Sequence, residues 1–289
     1  MMKSQNFEEK QILINLFKKF IQICEIHSLR YFCIGGTLLG AVRHQGIIPW
    51  DDDIDILMPR EDYDKFLKLD FTEHKNVEII TMHNNPHYYL PFSKFCDSST
   101  TILEYANIPA IVGSFIDIFP LDGAQSNQVV LTKDLLQFRR LANRLFVESK
   151  NFNENIKSFF NRLFNLQLRT AWNELTLCFF KKSKREKIVY ALENVMRRYS
   201  FESSTFVGNY GGMWGIKEFW DKENFDSYLL QNFETLNVRI PVGYDAILKK
   251  MYGNYMELPP VEKRVSHHNV AYKNLKERKS LEEIYNYIK

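Results

Sequence analysis

What the chain has little of narrows the field first. Its four cysteines, Cys24, Cys33, Cys96 and Cys178, are scattered, with no C-x-x-C pair and no histidine at zinc-finger spacing, which argues against a structural zinc site. Charge of one sign is not in excess: 38 basic and 35 acidic residues leave a formal net charge of +3, too balanced to predict nucleic-acid binding, and none is expected. No apolar run approaches the ~18 residues that a spanning helix requires. The first residues, MMKSQNFEEKQILINLF, place acids ahead of the apolar stripe and lack both the h-region and the small-residue cleavage site of a signal peptide. The cytoplasm is therefore the expected compartment, with the cysteines as reduced thiols packed in the core. No G-x-x-x-x-G-K-[ST] string occurs, which argues against a P-loop kinase, and there is neither an internal repeat nor a low-complexity linker.

What is present is a globular chain of 289 residues, 45% hydrophobic, with ample material for a core. Ile12, Leu16, Phe20, Ile23 and Cys24 recur at helical spacing between Phe7 and His27, with Lys10, Lys18 and Lys19 interleaved. A short apolar strand, Tyr31 to Ile34, then runs into Gly35-Gly36, a turn that lets backbone approach a ligand. Thr37 is a suitable N-cap for a short helix to about His44, whose free backbone N–H groups would face an anion.

The most informative stretch follows at once, GGTLLGAVRHQGIIPWDDDIDILM from Gly35 to Met58, which carries four carboxylates in five positions. Strand alternation sends Asp53 and Asp55 to one side while Ile54 and Ile56 point into the core. Two carboxylates about 6 Å apart in an effective dielectric of about 20 repel by roughly 3 kcal/mol, which a hard divalent cation removes. Most acidic runs are solvated loop tips, but this one is bracketed by Pro49-Trp50 and by Ile54, Ile56, Leu57 and Met58, at the mouth of a buried strand. Asp51 shares the face of Asp53 and Asp55 only if the strand is already straight there, and Asp52 faces the other way.

Further along, a helix is expected from about Arg60 to Leu69, and strands over Val77 to Met82, Tyr89 to Phe95 and Ile111 to Phe119, the last closed by Pro120. That last strand, IVGSFIDIF, holds a single carboxylate, Asp117, in an apolar setting. Such a residue is paired, capping or metal-bound. From Val129 to Ser200 the pattern is helical, two or three long helices, and the final third adds a strand near Leu236 to Ile240 and a helix from Tyr244 to Tyr252.

A strand ending in Gly-Gly, an acidic pair on the next strand and one more carboxylate on a later strand is similar to the catalytic layout of the nucleotidyltransferase superfamily. GGTLLGAVRHQGIIPWDDDIDILMPREDYDKF, SFIDIFPLDG and VGYDAILKKMYGNYMELPPVEKRVSHH together resemble the LicD family of phosphotransferases, the resemblance reaching to about His268 and being less specific in the helical middle. The resemblance implies an α+β fold, a nucleotidyltransferase-like core of a mixed sheet flanked by helices, with a helical lobe. It divides the chain into a catalytic core (1–128), the helical lobe (129–200) and a C-terminal part completing the active site (201–289). It further implies Asp53, Asp55 and Asp117 as ligands of Mg²⁺, with Mn²⁺ as a substitute, and Gly35, Gly36 and Thr37 along the phosphates. Asp51 would stand behind the metal ligands or on the acceptor side. Arg43 and Lys94 are candidates for neutralising developing charge, or else are surface charges. His267 and His268 would contact donor phosphates or an acceptor hydroxyl, or else lie in a solvated turn.

On that resemblance the expected reaction moves a phospho-substituent, phosphocholine from CDP-choline first, onto a hydroxyl of a cell-surface glycan or its lipid-linked precursor, with CMP leaving. CDP-ribitol and CDP-glycerol are alternative donors. A nucleotidylyltransferase releasing pyrophosphate is the rival among enzymes, and a catalytically silent nucleotide-binding module the rival outside them. Arg139, Arg140, Arg144, Arg162 and Arg169, followed by Lys181, Lys182, Lys184, Arg185 and Lys187 beside Phe179-Phe180, fit peripheral contact with anionic lipid on the inner face of the cell membrane as well as they fit a solvated helix face.

Overall fold

The computed structural model describes residues 2–150, 184–265 and 270–288. Helix α1 (Met2–Ile26) opens the chain. Leu13, Leu16, Phe17, Phe20, Ile23 and Cys24 follow one another at three- and four-residue steps and are all buried, so the helix folds by placing this stripe on the sheet. Phe20 is central to that contact, meeting the rings of Tyr31 and Phe66, each at 5.3 Å, and Phe95 at 5.9 Å, edge-on.

The sheet is built from β1 (Phe32–Cys33), β2 (Asp55–Pro59), β3 (Glu78–Ile80), β4 (Ser93–Leu103) and β5 (Ile111–Ala124). To these the later chain adds β6 (Phe206–Gly208), β7 (Phe219–Asp221) and β10 (Tyr272–Asn274). The principal order is β1-β2-β5-β4-β10, with β3 on β4 and β6 bridging β5 to β7. Among the described residues only β2 and β5 run parallel and the other strand pairings are antiparallel, so the sheet is mixed and the fold is α+β. A separate hairpin, β8 (Tyr228–Phe233) and β9 (Leu236–Pro241), turns at Glu234, which takes a left-handed φ of 54°. The sequence reading anticipates its second strand and not its first.

Two registers position the site. The parallel pair sets Asp55 opposite Asp117, and the antiparallel pair sets Lys94 opposite Asp117 from the other side. Strand β5 also outruns the end expected at Pro120. The Asp117 N–H donates to Ile54 O, so the N–H groups at odd positions face β2 and those at even positions face β4. The β4 pairing stops at Ile118, which leaves Pro120 on a side where no ladder donor is needed, and the strand continues to Ala124.

Helix α2 (Gly35–Arg43) and helix α3 (Arg60–Phe66) flank β2. Helix α4 (Gln128–Ser149) starts at Asn127, whose side chain accepts from the N–H groups of Val129 and Val130. It packs through Leu131, Leu135, Phe138 and Leu145 in one cluster with Ile188, Leu192 and Val195 of α5 (Lys184–Met196). Arg185 departs from the membrane-facing expectation. Its guanidinium donates to Ser149 Oγ at 3.0 Å and to the carbonyls of Met82, Asn85 and Tyr88 at 3.3, 3.2 and 2.6 Å, which makes it a tie between α5, the end of α4 and the segment between β3 and β4. Arg162, Arg169, Lys181 and Lys182 lie outside the described residues, as does Cys178. Cys24, Cys33 and Cys96 are buried thiols.

Helix α6 (Tyr244–Tyr252) ends at Gly253, whose φ of 69° suits glycine, and α7 (Leu281–Ile288) closes the chain. Among the described residues no helix is long and apolar enough to cross a membrane.

Candidate active site

The site forms where the C-terminal end of the loop from Trp50 meets the start of β2. Asp53 precedes the strand, Asp55 is its first residue and Asp117 lies on the parallel neighbour. One carboxylate oxygen from each of the three can be chosen so that all lie within 4.8 Å of one another, and Asp51, Asp52 and Asp53 form a second such group. The chain folds this way because Ile54 and Ile56 on the other face are fully buried, so strand alternation drives the carboxylates to the opposite side.

The double glycine lets these acids approach backbone. A Cβ on Gly35, which sits at φ 58°, would stand 2.6 Å from Asp55 Oδ2, and one on Gly36 would collide with Asp51 Oδ2. The first turn of α2 therefore lies directly against two carboxylates, its positive end facing them. Thr37 differs from its expected role. The helix is preceded by Ile34, and the buried Thr37 hydroxyl accepts the Asp55 N–H at 2.8 Å, pinning the start of β2 to the helix.

Lys94 is deep in the site, 1% exposed, with Nζ 2.7 Å from Asp117 Oδ1 and 3.6 Å from Glu104. The ammonium also stands 3.2 Å from the centre of the Phe115 ring. Burial disfavours its charge, yet Asp117 and Glu104 outweigh that and raise its pKa. Asp55 is pushed well above the usual carboxylate range, first by burial and then by Asp53, Asp117, Asp51 and Glu218. A cation among these groups would reverse that shift.

Three neighbours come from the last third of the chain and are not visible in the sequence pattern. Burial raises the pKa of Tyr252, and Asp55 and Asp51 raise it further; its ring packs edge-on against Trp214 at 5.3 Å. Glu218, 4% exposed, accepts from Trp214 N–H and from Asn209 Nδ2, each at 2.8 Å, and burial pushes it up to about 7. Arg264 rests over the Trp50 ring at 5.4 Å. Arg43 is placed among these residues: its Nη1 donates to the carbonyls of Tyr255 at 2.7 Å and Glu257 at 3.1 Å, holding the segment after α6 beside α2. His267 and His268 lie outside the described residues.

A mixed sheet that offers carboxylates from two adjacent parallel strands beside a glycine-opened helix defines a nucleotidyltransferase-type domain. Residues 28–152 match the family model for the LicD/FKTN/FKRP nucleotidyltransferase domain. Across nearly its whole length the chain is similar to the lipopolysaccharide cholinephosphotransferase LicD of Haemophilus influenzae, 29% identical over 274 residues that cover 92% of this chain and 97% of the relative. A shorter segment of 42 residues is 48% identical to the ribitol 5-phosphate transferase FKRP of mouse and human, covering 14% of this chain and 8% of theirs. An uncharacterized protein of Rickettsia typhi, RT0683, shares 41% identity over 84 residues, 28% of this chain and 27% of its own.

Proposed function

We propose that the chain is a metal-dependent phosphotransferase that moves phosphocholine from CDP-choline onto a hydroxyl of a cell-surface glycan or its lipid-linked precursor, releasing CMP. The observation that carries the reading is the Asp55–Asp117 register with Asp53 alongside, a set of carboxylate oxygens within 4.8 Å. Similarity to a lipopolysaccharide cholinephosphotransferase along almost the whole chain supports the donor, and the short match to a ribitol 5-phosphate transferase keeps CDP-ribitol second.

An all-carboxylate donor set fits Mg²⁺ or Mn²⁺ and not a soft ion, and such an ion would offset both the burial and the mutual repulsion that raise the pKa of Asp55. Asp53, Asp55 and Asp117 would hold it, and it would supply charge neutralisation at the donor pyrophosphate. The rest falls to the chain itself. The N–H groups opening α2 at Gly35, Gly36 and Thr37 receive phosphate oxygens. Lys94 keeps Asp117 ionised and fixed. The attacking hydroxyl gives its proton to a carboxylate of the cluster, and the attack on the distal phosphorus proceeds by positioning and electrostatics with no covalent enzyme intermediate. The protein works from the cytoplasmic side, where a lipid-linked acceptor is presented at the inner face of the membrane.

The test is a donor panel of CDP-choline, CDP-ribitol, CDP-glycerol and CDP-ethanolamine scored for Mg²⁺-dependent CMP release with a glycan acceptor. CMP is expected with CDP-choline in first place. Pyrophosphate release from CTP, with no CMP from any of the four donors, would establish the nucleotidylyltransferase instead.

A further inference from the structure

Helix α4 has an outer face of one charge sign. Lys133, Leu136, Arg140 and Arg144, separated by three and four residues, line up along it, and the three basic residues are exposed. The only acids of the helix, Asp134 and Glu148, are turned inward at 4% and 9% exposure, and Asp134 is paired with Arg198. No carboxylate balances the outer stripe from its own helix.

At the flank of this stripe Arg139 reaches the turn Met213–Lys217, where its Nη2 lies so close to Gly215 that an added Cβ would stand 2.5 Å away. That turn puts Met213 (88% exposed), Trp214 (47%) and Ile216 (41%) into solvent together with the exposed Lys217, and Leu136 (49%), one helical turn before Arg139, adds an exposed apolar side chain on α4. Apolar side chains, a tryptophan and basic residues on one continuous surface are what the boundary of an anionic bilayer accepts. The surface also adjoins the site, since Trp214 packs on Tyr252 and Tyr252 feels the charges of Asp55 and Asp51.

We infer that the outer face of α4 together with the Met213–Lys217 turn is a docking surface for an anionic lipid bilayer, which sets the mouth of the carboxylate site at the membrane. The inference deepens the proposed reaction and rests on it only for the purpose of docking. Vesicle binding is measured without donor or acceptor, so its failure and the failure of the phosphotransfer reading are separate results.

The experiment is co-sedimentation of the full chain with phosphatidylcholine vesicles, with and without phosphatidylglycerol. Wild-type protein is expected to bind only the anionic vesicles and to be released as salt rises from about 0.1 M to about 1 M, where the screening length falls from about 10 Å to about 3 Å. K133Q/R140Q/R144Q should bind about 100-fold more weakly, about fivefold per charge, and M213S/I216S about tenfold more weakly. The charge-keeping K133R/R140K/R144K should bind like wild type, and all three variants should melt like wild type by circular dichroism. The inference is overturned by equal binding to neutral vesicles, by loss of binding in the charge-keeping variant, by a triple-Gln effect below about threefold, or by binding of nucleic acid in place of vesicles.

Discussion

Strand β5 carries two buried carboxylates five residues apart, and they live opposite lives. Asp122 is closed off: Arg60 meets it with Nε and Nη2, both at 2.7 Å, and burial of the guanidinium is more than offset, so that the arginine is held more firmly charged than usual. Arg60 also reaches Asp64 at 3.5 Å, and Asp64 is met by Arg197, so charge there balances two to two. Asp117 also has a basic partner, Lys94 at 2.7 Å, but it shares its surroundings with Asp55, Asp53 and Asp51, and Lys94 is itself shared with Glu104. A balanced buried pair serves the fold, whereas a buried surplus of one sign costs stability and persists where a ligand of the other sign completes it.

Breaking each site should therefore give unlike results. Arg60→Met leaves Asp122 buried without its guanidinium and should cost about 3–5 kcal/mol in urea unfolding, while turnover per folded molecule stays within about twofold. Replacing both partners, Arg60→Met with Asp122→Leu, should recover most of that loss, and a double variant no more stable than the single one would contradict the structural role. At the other end of the strand the signs reverse. Asp53→Asn and Asp55→Asn should fold normally and lose at least about 10²–10³ in turnover, worth about 2.7–4 kcal/mol of transition-state stabilisation. Retention of more than about a tenth of wild-type turnover at saturating Mg²⁺ would sink the assignment.

The comparison sharpens with metal. Chelation should abolish turnover, and Mg²⁺ or Mn²⁺ should restore it without zinc. Saturating Mg²⁺ at about 100 times its dissociation constant should raise wild-type unfolding free energy by about 2.7 kcal/mol. Asp55→Asn should be more stable than wild type in EDTA, because a carboxyl that burial and its acidic neighbours hold protonated no longer has to take up a proton on folding, and Mg²⁺ should add little to it. Calorimetry with and without EDTA measures both. Full turnover in excess EDTA would remove the metal from the mechanism.

The two carboxylate sites were also unequally legible before the fold was known. Asp53, Asp55 and Asp117 could be picked out because local pattern exposes them: alternation places the first two together, and the third stands alone among apolar residues. Lys94 was visible as a basic residue near phosphate, but only the β4–β5 register makes it the partner of Asp117. The Arg60–Asp122 pair spans 62 positions, and no periodicity links its halves. The place of Thr37 after Gly-Gly suits a cap; the cost of leaving the Asp55 N–H buried gives its hydroxyl another task. Strand β8 escaped because Tyr228, Leu229 and Leu230 are all exposed, so its sequence lacks the in-out alternation that marks a half-buried strand. Glu218 and Tyr252 reach the site through long returns of the chain, and the sequence offers only a lone acid in GGMWGIKEFW as a hint of the first.

Glu218 supplies the smallest and most diagnostic contrast, since it is a buried acid near the cluster that is bonded to the fold. Its pKa rises from 4.5 to about 7, by burial against the help of Trp214 N–H and Asn209. The sign follows from linkage: below about pH 4.5 both folded and unfolded forms are protonated and no penalty exists. Between about 4.5 and 7 the unfolded chain gives up a proton that the folded chain keeps, so stability falls with rising pH and levels off above about 7. A shift of this size has a ceiling of about 3 kcal/mol, and water entering beside the ionised group should trim the measured swing to about 1–2 kcal/mol. Glu218→Gln should remove that pH dependence, at the expense of the Asn209 Nδ2 bond, which an amide nitrogen cannot accept. Urea midpoints of wild type and variant taken from pH 4 to 8 should therefore converge as pH rises. Parallel curves would mean that Glu218 ionises at its ordinary pKa, and that the clasp around Trp214 is held by a carboxylate already charged.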